Sequence, residues 1–362
     1  MSSKDEVTIY GAGMSGLIAA INLAREGRSV TVHEKEAGFG GSRLYNPSTH
    51  VTPIDAISTS EYIGIDITGV FHPLLKCRWY LHDTSFLAPP SAFGLNAVER
   101  GDRPTSLDTL LYRECQGLDI RFEFESSLRK EDIGNLPPNT IIACGLTPSV
   151  YRMLDIPCRR WYGWISRGEI EMNDYALLWW DESITEYGYL STVNNFYFNL
   201  LFSTREVPRG ALNKYIAFLV RNEGIEHDNW EYASGVVPIA VPDNPRLFWK
   251  NAVLCGTISG AMDPVLCFGI SGALVTGKIA ALAITDPDRA RSEFERFTRN
   301  FKRSYRFRAT AWDRVVRSHV RFGERMISAV GSERIERILQ KGDTGLLRRI
   351  LSIPGFGPIN TS

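Results

Sequence analysis

The sequence predicts an α/β fold in which a parallel-sheet domain is joined to an antiparallel sheet and is followed by a helical C-terminal segment. Three observations predict this fold. A strand–turn–helix–strand pattern occupies residues 7–34, an aromatic stretch with strand-like alternation covers residues 158–250, and a basic segment with helical spacing follows residue 287. The chain has 362 residues, of which 44% are hydrophobic, and can therefore bury a full core.

The N-terminal pattern is typical of a Rossmann-like dinucleotide-binding unit. A short apolar strand runs into the turn GAGMSG at residues 11–16, a helix follows, and a second strand ends at Glu34. Gly11 permits a tight turn, Gly13 lets the backbone approach a pyrophosphate, and Gly16 lets the helix lie close to the strands. The helix N-terminus attracts the anion, and Glu34 can accept hydrogen bonds from ribose hydroxyls. The alternative is a glycine-rich turn in an unrelated α/β unit.

The segments that follow predict a second approach to the same nucleotide and further elements of the parallel sheet. Residues 37–43 form another glycine-rich loop that can pass close to the nucleotide, whereas residues 44–100 are interpreted as an insertion. A helix is predicted at residues 103–115, with Thr105 or Ser106 as its N-cap. Residues 139–145 predict a buried strand that ends in a glycine.

The aromatic stretch predicts an antiparallel sheet. Its strands are expected at residues 175–180, 187–190, 195–202 and 249–254, and six of the eight tryptophans fall within residues 158–250. Such a sheet is either ordinary core or one wall of an apolar substrate pocket. Taken residue by residue, core is the more frequent role.

A second glycine-rich stretch covers residues 253–281. A strand is predicted to end at Gly256, a loop to run through Pro264, and a helix to begin near Gly269. Small residues such as Gly272 and Gly277 would let this helix approach its neighbours closely. Its N-terminal N–H groups could face an anion or an electron-rich carbonyl.

Charge is unevenly distributed along a chain that is neutral overall, with 41 basic and 41 acidic residues. Residues 289–349, which include Trp312, contain 17 Lys and Arg against 7 Asp and Glu. An amphipathic helix over residues 335–351 could lie on an anionic membrane surface, or it could be a structural cap that balances an acidic body. No nucleic-acid-binding motif accompanies the charge, so nucleic acid is not expected as a partner.

Cysteine usage and hydropathy predict a cytoplasmic protein. Six cysteines are scattered without a CxxC pair, which predicts reduced thiols and neither a metal site nor a disulfide framework. No apolar run reaches the roughly 20 residues that span a bilayer, and no signal peptide precedes the first strand. Attachment to the inner face of the membrane through the basic segment stays open.

Three blocks of the sequence, spread over nearly the whole chain, carry a resemblance to a known family. They are residues 11–34, residues 103–111 with 141–145, and residues 256–281. Together they resemble the flavoprotein superfamily of p-hydroxybenzoate hydroxylase type, and within it the geranylgeranyl reductases are most similar. Residues 186–191 lie where these reductases carry a segment that lines the lipid site.

The resemblance implies an FAD-dependent oxidoreductase. Pro264, Gly269 and Ile270 are implied at the isoalloxazine ring, and Arg103 at the middle of the cofactor. Thr257 replaces the aspartate that the family carries after Gly256; it can form hydrogen bonds but carries no charge. The implied cofactor-binding residues are Gly11, Ala12, Gly13, Met14, Ser15, Gly16, Glu34, Lys35, Ser42, Arg43, Arg103, Cys144, Gly145, Gly256, Thr257, Pro264, Gly269 and Ile270.

The implied domain organisation interrupts the FAD-binding domain. Residues 1–157 are expected to form its first part, including the insertion, and residues 251–286 its second part. Residues 158–250 are expected to form the substrate domain, and residues 287–362 a basic helical region.

The function expected from the resemblance is reduction of a carbon–carbon double bond in a prenyl lipid or another apolar substrate. Reduced FAD would supply hydride, with NADPH, ferredoxin or a quinol as the electron donor. The second hydrogen needs a proton donor, for which Tyr187, Tyr189 and Cys267 are the candidates; His50 and Lys76 are weaker ones.

Two other functions stay open. A monooxygenase or halogenase would use O2, and a halogenase would also need a lysine between flavin and substrate, for which Lys76 is the available position. A redox-neutral, cyclase-like flavoprotein docked at a membrane is the third reading. Consumption of an electron donor separates this last class from the redox enzymes, and oxygen dependence separates the first two.

Overall fold

The structure is a computed structural model that describes residues 6–240, 243–310 and 320–340. The strands are β1 (Glu6–Tyr10), β2 (Ser29–His33), β3 (Ser48–Pro53), β4 (Phe71–Pro73), β5 (Lys76–Leu81), β6 (Thr84–Ala88), β7 (Leu95–Arg100), β8 (Ile120–Glu123), β9 (Thr140–Ile142), β10 (Arg159–Glu169), β11 (Tyr175–Trp180), β12 (Gly188–Val193), β13 (Phe196–Ser203), β14 (Glu231–Val237), β15 (Phe248–Trp249) and β16 (Ala252–Leu254). The helices are α1 (Met14–Arg25), α2 (Ala56–Ile63), α3 (Leu107–Glu114), α4 (Pro148–Met153), α5 (Arg209–Glu223), α6 (Ile270–Thr285), α7 (Pro287–Phe307), α8 (Val320–Val330) and α9 (Ser332–Gln340).

The first sheet has six strands in the order β15-β16-β9-β1-β2-β8. Its neighbours run parallel except for the antiparallel pair β15–β16. Ile9 of β1 and Val32 of β2 are fully buried, as expected for a parallel sheet that is covered on both faces. Helices α1 and α6 pack against each other and share the core with these strands. The predicted parallel-sheet domain is confirmed.

The starts of two helices also agree with the sequence. The Ser106 side chain accepts a hydrogen bond from the Thr109 N–H at 3.1 Å, so Ser106 is the N-cap of α3. Helix α6 begins at Ile270, directly after Gly269.

The second sheet has seven strands in the order β14-β10-β13-β12-β11-β5-β6. It is antiparallel except where β5 pairs with β11. Side chains alternate between its faces. Along β11, Ala176 and Leu178 pack in the core of one face, whereas Leu177 and Trp179 belong to the core on the other face, which α5 covers. The predicted antiparallel sheet is confirmed.

The origin of its strands differs from the expectation in two places. Residues 76–88, in the expected insertion, supply β5 and β6, and other parts of that insertion form a small sheet in the order β3-β7-β4. Residues 249–254, expected in the antiparallel sheet, contribute instead to β15 and β16 at the edge of the six-stranded sheet. Alternation within a segment predicts a strand but not its pairing partner, which depends on side-chain packing between distant segments.

The C-terminal helices extend from the first sheet to the edge of the second. Helix α7 packs on α6, and α8 and α9 contact the edge strand β6. The Leu87 N–H of this strand donates to Glu336 Oε1 at 2.8 Å, and Ile327 is buried. Part of the expected amphipathic helix is therefore a cap on the sheet edge. Trp312 and the part of that helix after residue 340 lie outside the described residues.

Candidate functional site

A cavity of about 470 Å³ is lined by residues of both large sheets and of the loops that follow their strands. The turn after β1 and the stretch after Gly256 line the same cavity, although more than 240 residues separate them in the sequence. The residues named from the sequence that line it are Gly11, Gly13, Met14, Ser15, Glu34, Lys35, Ser42, Cys144, Gly145, Gly256, Thr257, Gly269 and Ile270, together with the candidate proton donors Tyr187, Tyr189 and Cys267.

The glycines of the first turn differ in what surrounds them. Gly11 has a φ of +113°, and a Cβ there would lie 2.5 Å from the Ala143 carbonyl oxygen. A Cβ on Gly16 would overlap the Gly11 carbonyl oxygen, so only glycine lets α1 lie this close to β1. A Cβ on Gly13 would meet no atom within 4 Å. The cavity therefore reaches the backbone at the start of α1, which leaves room for a pyrophosphate at the helix N-terminus.

Glu34 is buried at the end of β2 with its carboxylate fixed in place. Its Oε2 accepts from the Ala12 N–H at 2.7 Å and its Oε1 from the Glu36 N–H at 3.0 Å. Because each carboxylate oxygen has a further lone pair, the group can still accept from a ligand hydroxyl. These residues fit the adenosine half of a dinucleotide. Ala12 contributes through this contact and does not itself line the cavity.

The arginine that lines the cavity is Arg100 rather than Arg103. The Arg103 guanidinium pairs with Glu99 and lies 4.6 Å from the Phe196 ring centroid. Glu99 is fully buried, and a buried carboxylate needs a cationic partner, so Arg103 is held away from the cavity. This placement corrects the sequence-based interpretation. Arg100, three residues earlier, is held by Asp108 through two hydrogen bonds of 2.6 and 3.0 Å.

Three other expected cofactor contacts do not line the cavity. They are Gly16, Arg43 and Pro264. Gly16 acts in close packing instead, and the Pro264 carbonyl accepts a hydrogen bond from Arg308 Nη1 at 2.5 Å. Arg43 is exposed at the surface.

The loop of residues 256–269 closes the other end of the cavity. Gly256 has a φ of +71° and donates its N–H to Thr276 Oγ1 of α6 at 2.8 Å. Asp263 is fully buried, and its Oδ1 accepts from the N–H groups of Val265 and Leu266 at 3.0 and 2.7 Å. Burial raises the pKa of this carboxyl to about 6, against the opposing effect of these hydrogen bonds.

Helix α6 fixes this loop against the first turn, as its small residues predict. A Cβ on Gly272 would overlap the Ala261 carbonyl oxygen. One on Gly277 would lie 2.6 Å from the carbonyl oxygen of Ser15, in α1. The two ends of the cavity are therefore held at a fixed separation by one pair of closely packed helices.

The hydroxyl groups of the two candidate tyrosines differ in the hydrogen bonds that they make, one as a donor and the other as an acceptor. Tyr187 donates its proton to the Leu266 carbonyl at 2.6 Å. The Tyr189 hydroxyl accepts from the Val51 N–H at 2.8 Å, which leaves its own proton available for donation. Burial raises the pKa of both phenols, so both are protonated at neutral pH.

Cys267 lines the cavity with a protonated thiol. Burial raises its pKa to about 12, and its backbone has a φ of +60°, which is uncommon for a residue with a side chain. Of the weaker candidates, His50 lines the cavity and bonds Ser48 Oγ through Nε2 at 2.9 Å. Burial lowers its pKa to about 3, so it is neutral. Lys76 is exposed, 5.8 Å from the Tyr175 ring centroid, and does not line the cavity.

One face of the seven-stranded sheet forms an apolar wall of the cavity. Trp161 of β10, Leu178 of β11, and Phe198 and Phe202 of β13 line it. Trp179, on the opposite face, is 1% exposed and lies 5.1 Å from the Tyr215 ring. The sheet therefore combines both expected roles, core on the α5 face and pocket wall on the other.

Several lining residues have no signal in the sequence. Arg100 and Asn46 come from the expected insertion, and residues 126–128 come from the loop after β8. Arg100 lies three residues before the block at residues 103–111 from which Arg103 is implied. The others are brought to the site by tertiary structure alone.

None of the helices formed by the described residues is both long and apolar enough to cross a bilayer. Among these residues, no three or more His, Cys, Asp or Glu side chains are grouped so as to hold a metal ion. All six cysteines are free thiols.

Comparison with known sequences matches the N-terminal unit. Residues 9–55 match the family described as "NAD(P)-binding Rossmann-like domain". The flavin-containing monooxygenase FMO GS-OX2 of Arabidopsis thaliana is 38% identical over 61 residues, which are 17% of this chain and 13% of that protein. The chain thus aligns with about an eighth of the length of this curated relative.

Comparison with solved structures extends over the whole chain. A geranylgeranyl bacteriochlorophyll reductase-like protein from Thermoplasma acidophilum has a TM-score of 0.65 at 13% identity, with 96% of both chains covered. The p-nitrophenol 4-monooxygenase from Pseudomonas putida has a TM-score of 0.60 at 11% identity, with 97% of this chain and 99% of that chain covered. At these identities the likeness establishes the fold.

These findings confirm the resemblance and the fold predicted from the sequence. The chain has the fold of flavin-dependent oxidoreductases, and flavin is the cofactor to which the comparisons point. A reductase-like protein and a monooxygenase both share this fold.

Proposed function

We propose that the chain is an FAD-dependent oxidoreductase that reduces a carbon–carbon double bond in an apolar substrate. The observation that carries the proposal is the cavity that joins the glycine turn after β1 to an apolar sheet face and to a protonated thiol. The first turn and Glu34 would hold the adenosine half of FAD. Residues 256–270, with Arg100 and Ser42, would hold the remainder.

The wall formed by the seven-stranded sheet supports an apolar substrate. Its aromatic and aliphatic side chains offer contact area but few hydrogen bonds, so a hydrocarbon chain would bind by burying apolar surface. When held by these residues, reduced flavin would supply the hydride for one carbon of the double bond.

Cys267 is the proton donor we propose for the other carbon. Its thiol lines the cavity, lies in the loop that would contact the flavin ring, and holds its proton at neutral pH. After donation, the thiolate regains a proton from solvent. The Tyr187 proton is committed to the Leu266 carbonyl, which leaves Tyr189 as the second candidate.

The test is anaerobic re-oxidation of the reduced flavoprotein by a panel of prenyl lipids, with the products identified by mass spectrometry. Cys267→Ala is expected to slow re-oxidation by roughly a hundredfold, as for the loss of a general acid, while FAD stays bound. Cys115→Ala is the matched control, because Cys115 is buried away from the cavity. If Tyr189→Phe is slowed and Cys267→Ala is not, Tyr189 is the donor. If no lipid re-oxidises the flavin, reductase activity on this substrate class is excluded.

A monooxygenase is the second candidate, and the full-length likeness to p-nitrophenol 4-monooxygenase supports it. Its product would contain oxygen from O2, and turnover would stop without air. A halogenase has less support because Lys76 lies outside the cavity. A redox-neutral flavoprotein would consume no electron donor; NADPH, reduced ferredoxin and a quinol are the donors to compare.

The basic C-terminal helices support a further proposal, attachment to an anionic membrane surface. Arg325, Arg334 and Arg337 are exposed on α8 and α9. An apolar lipid substrate would reach the cavity from such a surface.

A further inference from the structure

A buried ion pair lies behind the loop that closes the cavity. Arg308 Nη2 is 2.6 Å from Glu186 Oε1, and each side chain is only 1% exposed. Arg308 lies in a π-helical turn, residues 308–310, that directly follows α7. Ion pairs this deeply buried are costly to desolvate, and π-helical turns occur frequently at functional sites. Neither residue lines the cavity.

Arg308 also binds the backbone of the loop. Its Nη1 donates to the Pro264 carbonyl at 2.5 Å, so one guanidinium joins the loop to the carboxylate that precedes Tyr187. The same end of α7 makes two more bonds to the loop. Ser304 Oγ donates to Asp263 Oδ2 at 3.1 Å, and the Tyr305 hydroxyl donates to the Gly260 carbonyl at 3.0 Å.

The sheet holds the loop from its other side. Tyr187, next to Glu186, donates its hydroxyl to the Leu266 carbonyl at 2.6 Å. Arg308 therefore binds the carbonyl of residue 264, and Tyr187 binds the carbonyl of residue 266. The two are linked because Glu186, the ion-pair partner of Arg308, is next to Tyr187 in the chain. Cys267, Gly269 and Ile270, which follow directly, line the cavity. The positions of these three residues depend on residues 264–266, which are held by Arg308 on one side and by Tyr187 on the other.

We propose that Arg308 is a positioning residue for the flavin ring. It fixes residues 263–270 against the ring end of bound FAD through the Pro264 carbonyl, and Glu186 holds its guanidinium in place. This inference rests on the proposed FAD site. It predicts that loss of the Glu186–Arg308 pair weakens binding of the ring end of the cofactor. Binding at the adenosine end, whose residues are more than 150 positions away in sequence, should be unchanged.

Binding of FAD and binding of ADP-ribose, each compared with the wild type, distinguish effects on the ring end of the site from effects on the adenosine end. FAD spans the whole site, whereas ADP-ribose carries only the adenosine diphosphate half and a second ribose. For Arg308→Met we expect affinity for FAD to fall about tenfold or more, because the ring no longer meets a preorganised loop, while affinity for ADP-ribose stays within about twofold. The flavin absorption bands and midpoint potential should shift as well.

Two further variants keep the test decisive if Arg308→Met does not fold. Glu186→Leu with Arg308→Met removes both members of the ion pair together, so neither charge is left buried without the other, and should show the same FAD-specific loss. Arg308→Lys retains a charge that reaches one acceptor but cannot bridge both, and should restore part of the affinity. Lys214→Met is the matched control, since Lys214 pairs at 2.6 Å with buried Asp181 outside the cavity.

The outcomes distinguish this inference from the proposed function. If the wild type binds FAD and the charge-free variant matches it in affinity, spectrum and potential, only the positioning role is overturned. An equal loss of FAD and ADP-ribose affinity overturns it too, because the pair would then support the fold as a whole. A wild-type chain that binds no FAD overturns both.

Discussion

The two ends of the cavity are built in different ways. The end proposed for the adenosine half of FAD is formed largely by residues 11–34, a continuous stretch in which Gly16 packs against Gly11 and Gly13 leaves the backbone open to the cavity. The other end is assembled from residues far apart in sequence, such as Glu186, Leu266 and Arg308. The proposed nucleotide-binding end therefore depends mainly on a short motif, whereas the place where chemistry would occur depends on the whole fold. This contrast fits a fold shared by reductases and monooxygenases, in which function is set by the site rather than by the fold.

The largest effect is expected from Gly13→Val, which tests the local end alone. The new side chain meets no protein atom within 4 Å of its Cβ but occupies the space proposed for the pyrophosphate. Affinity for FAD should fall by at least about 3 kcal/mol, roughly a hundredfold, with an unchanged melting temperature. Gly210→Ala is the control, because a Cβ there also meets no atom and the site is in α5. Equal FAD affinity in both variants would contradict the assignment of this turn, as measured by calorimetric titration.

A smaller effect, dependent on pH, is expected at the assembled end. Burial raises the pKa of Asp263 to about 6, so between pH 4 and 6 the folded chain holds this proton more tightly than the unfolded chain. The stability that the protonated Asp263 carboxyl contributes is thus fully present below about pH 4 and is lost as the pH rises through 6. The unfolding free energy of the wild type relative to Asp263→Asn should fall by about 2–3 kcal/mol over this range. Urea unfolding at pH 4 and pH 7 measures it, and a difference that is constant with pH would refute it.

The smallest effect concerns α8 and α9, whose described residues do not line the cavity. Arg334→Gln with Arg337→Gln should weaken binding to anionic vesicles by up to about 2 kcal/mol, since each exposed basic residue near headgroups contributes about 1 kcal/mol. Flotation with vesicles of phosphatidylserine and phosphatidylcholine measures it. Arg205→Gln with Arg209→Gln, on exposed residues at the start of α5, is the control. If neither double variant changes vesicle binding, membrane attachment through these arginines is contradicted, and α8 and α9 serve as a cap on the sheet edge.

The sequence predicts structural elements well where neighbours in the chain decide the geometry. The turn at residues 11–16, the Ser106 cap and the start of α6 belong to this group, since each depends on steric and hydrogen-bonding rules within a few residues. Pairing of β5 with β11 and the Glu186–Arg308 pair could not be predicted, because contacts across about 100 residues depend on packing of the complete core. The interpretation of Arg103 failed for a related reason: Glu99 binds it, and no local pattern shows that this carboxylate is buried.

The pairing of β5 with β11 has a consequence for how the chain folds during synthesis. Strands β5 and β6 leave the ribosome almost 90 residues before β11 does, and until then β5 exposes an open, aromatic edge of the kind that promotes self-association. Long-range parallel pairing of this sort forms slowly. The yield of soluble protein should therefore depend on synthesis speed and chaperone supply. For the same reason, a fragment that starts after residue 157 would carry a seven-stranded sheet with two strands removed, and should not fold by itself.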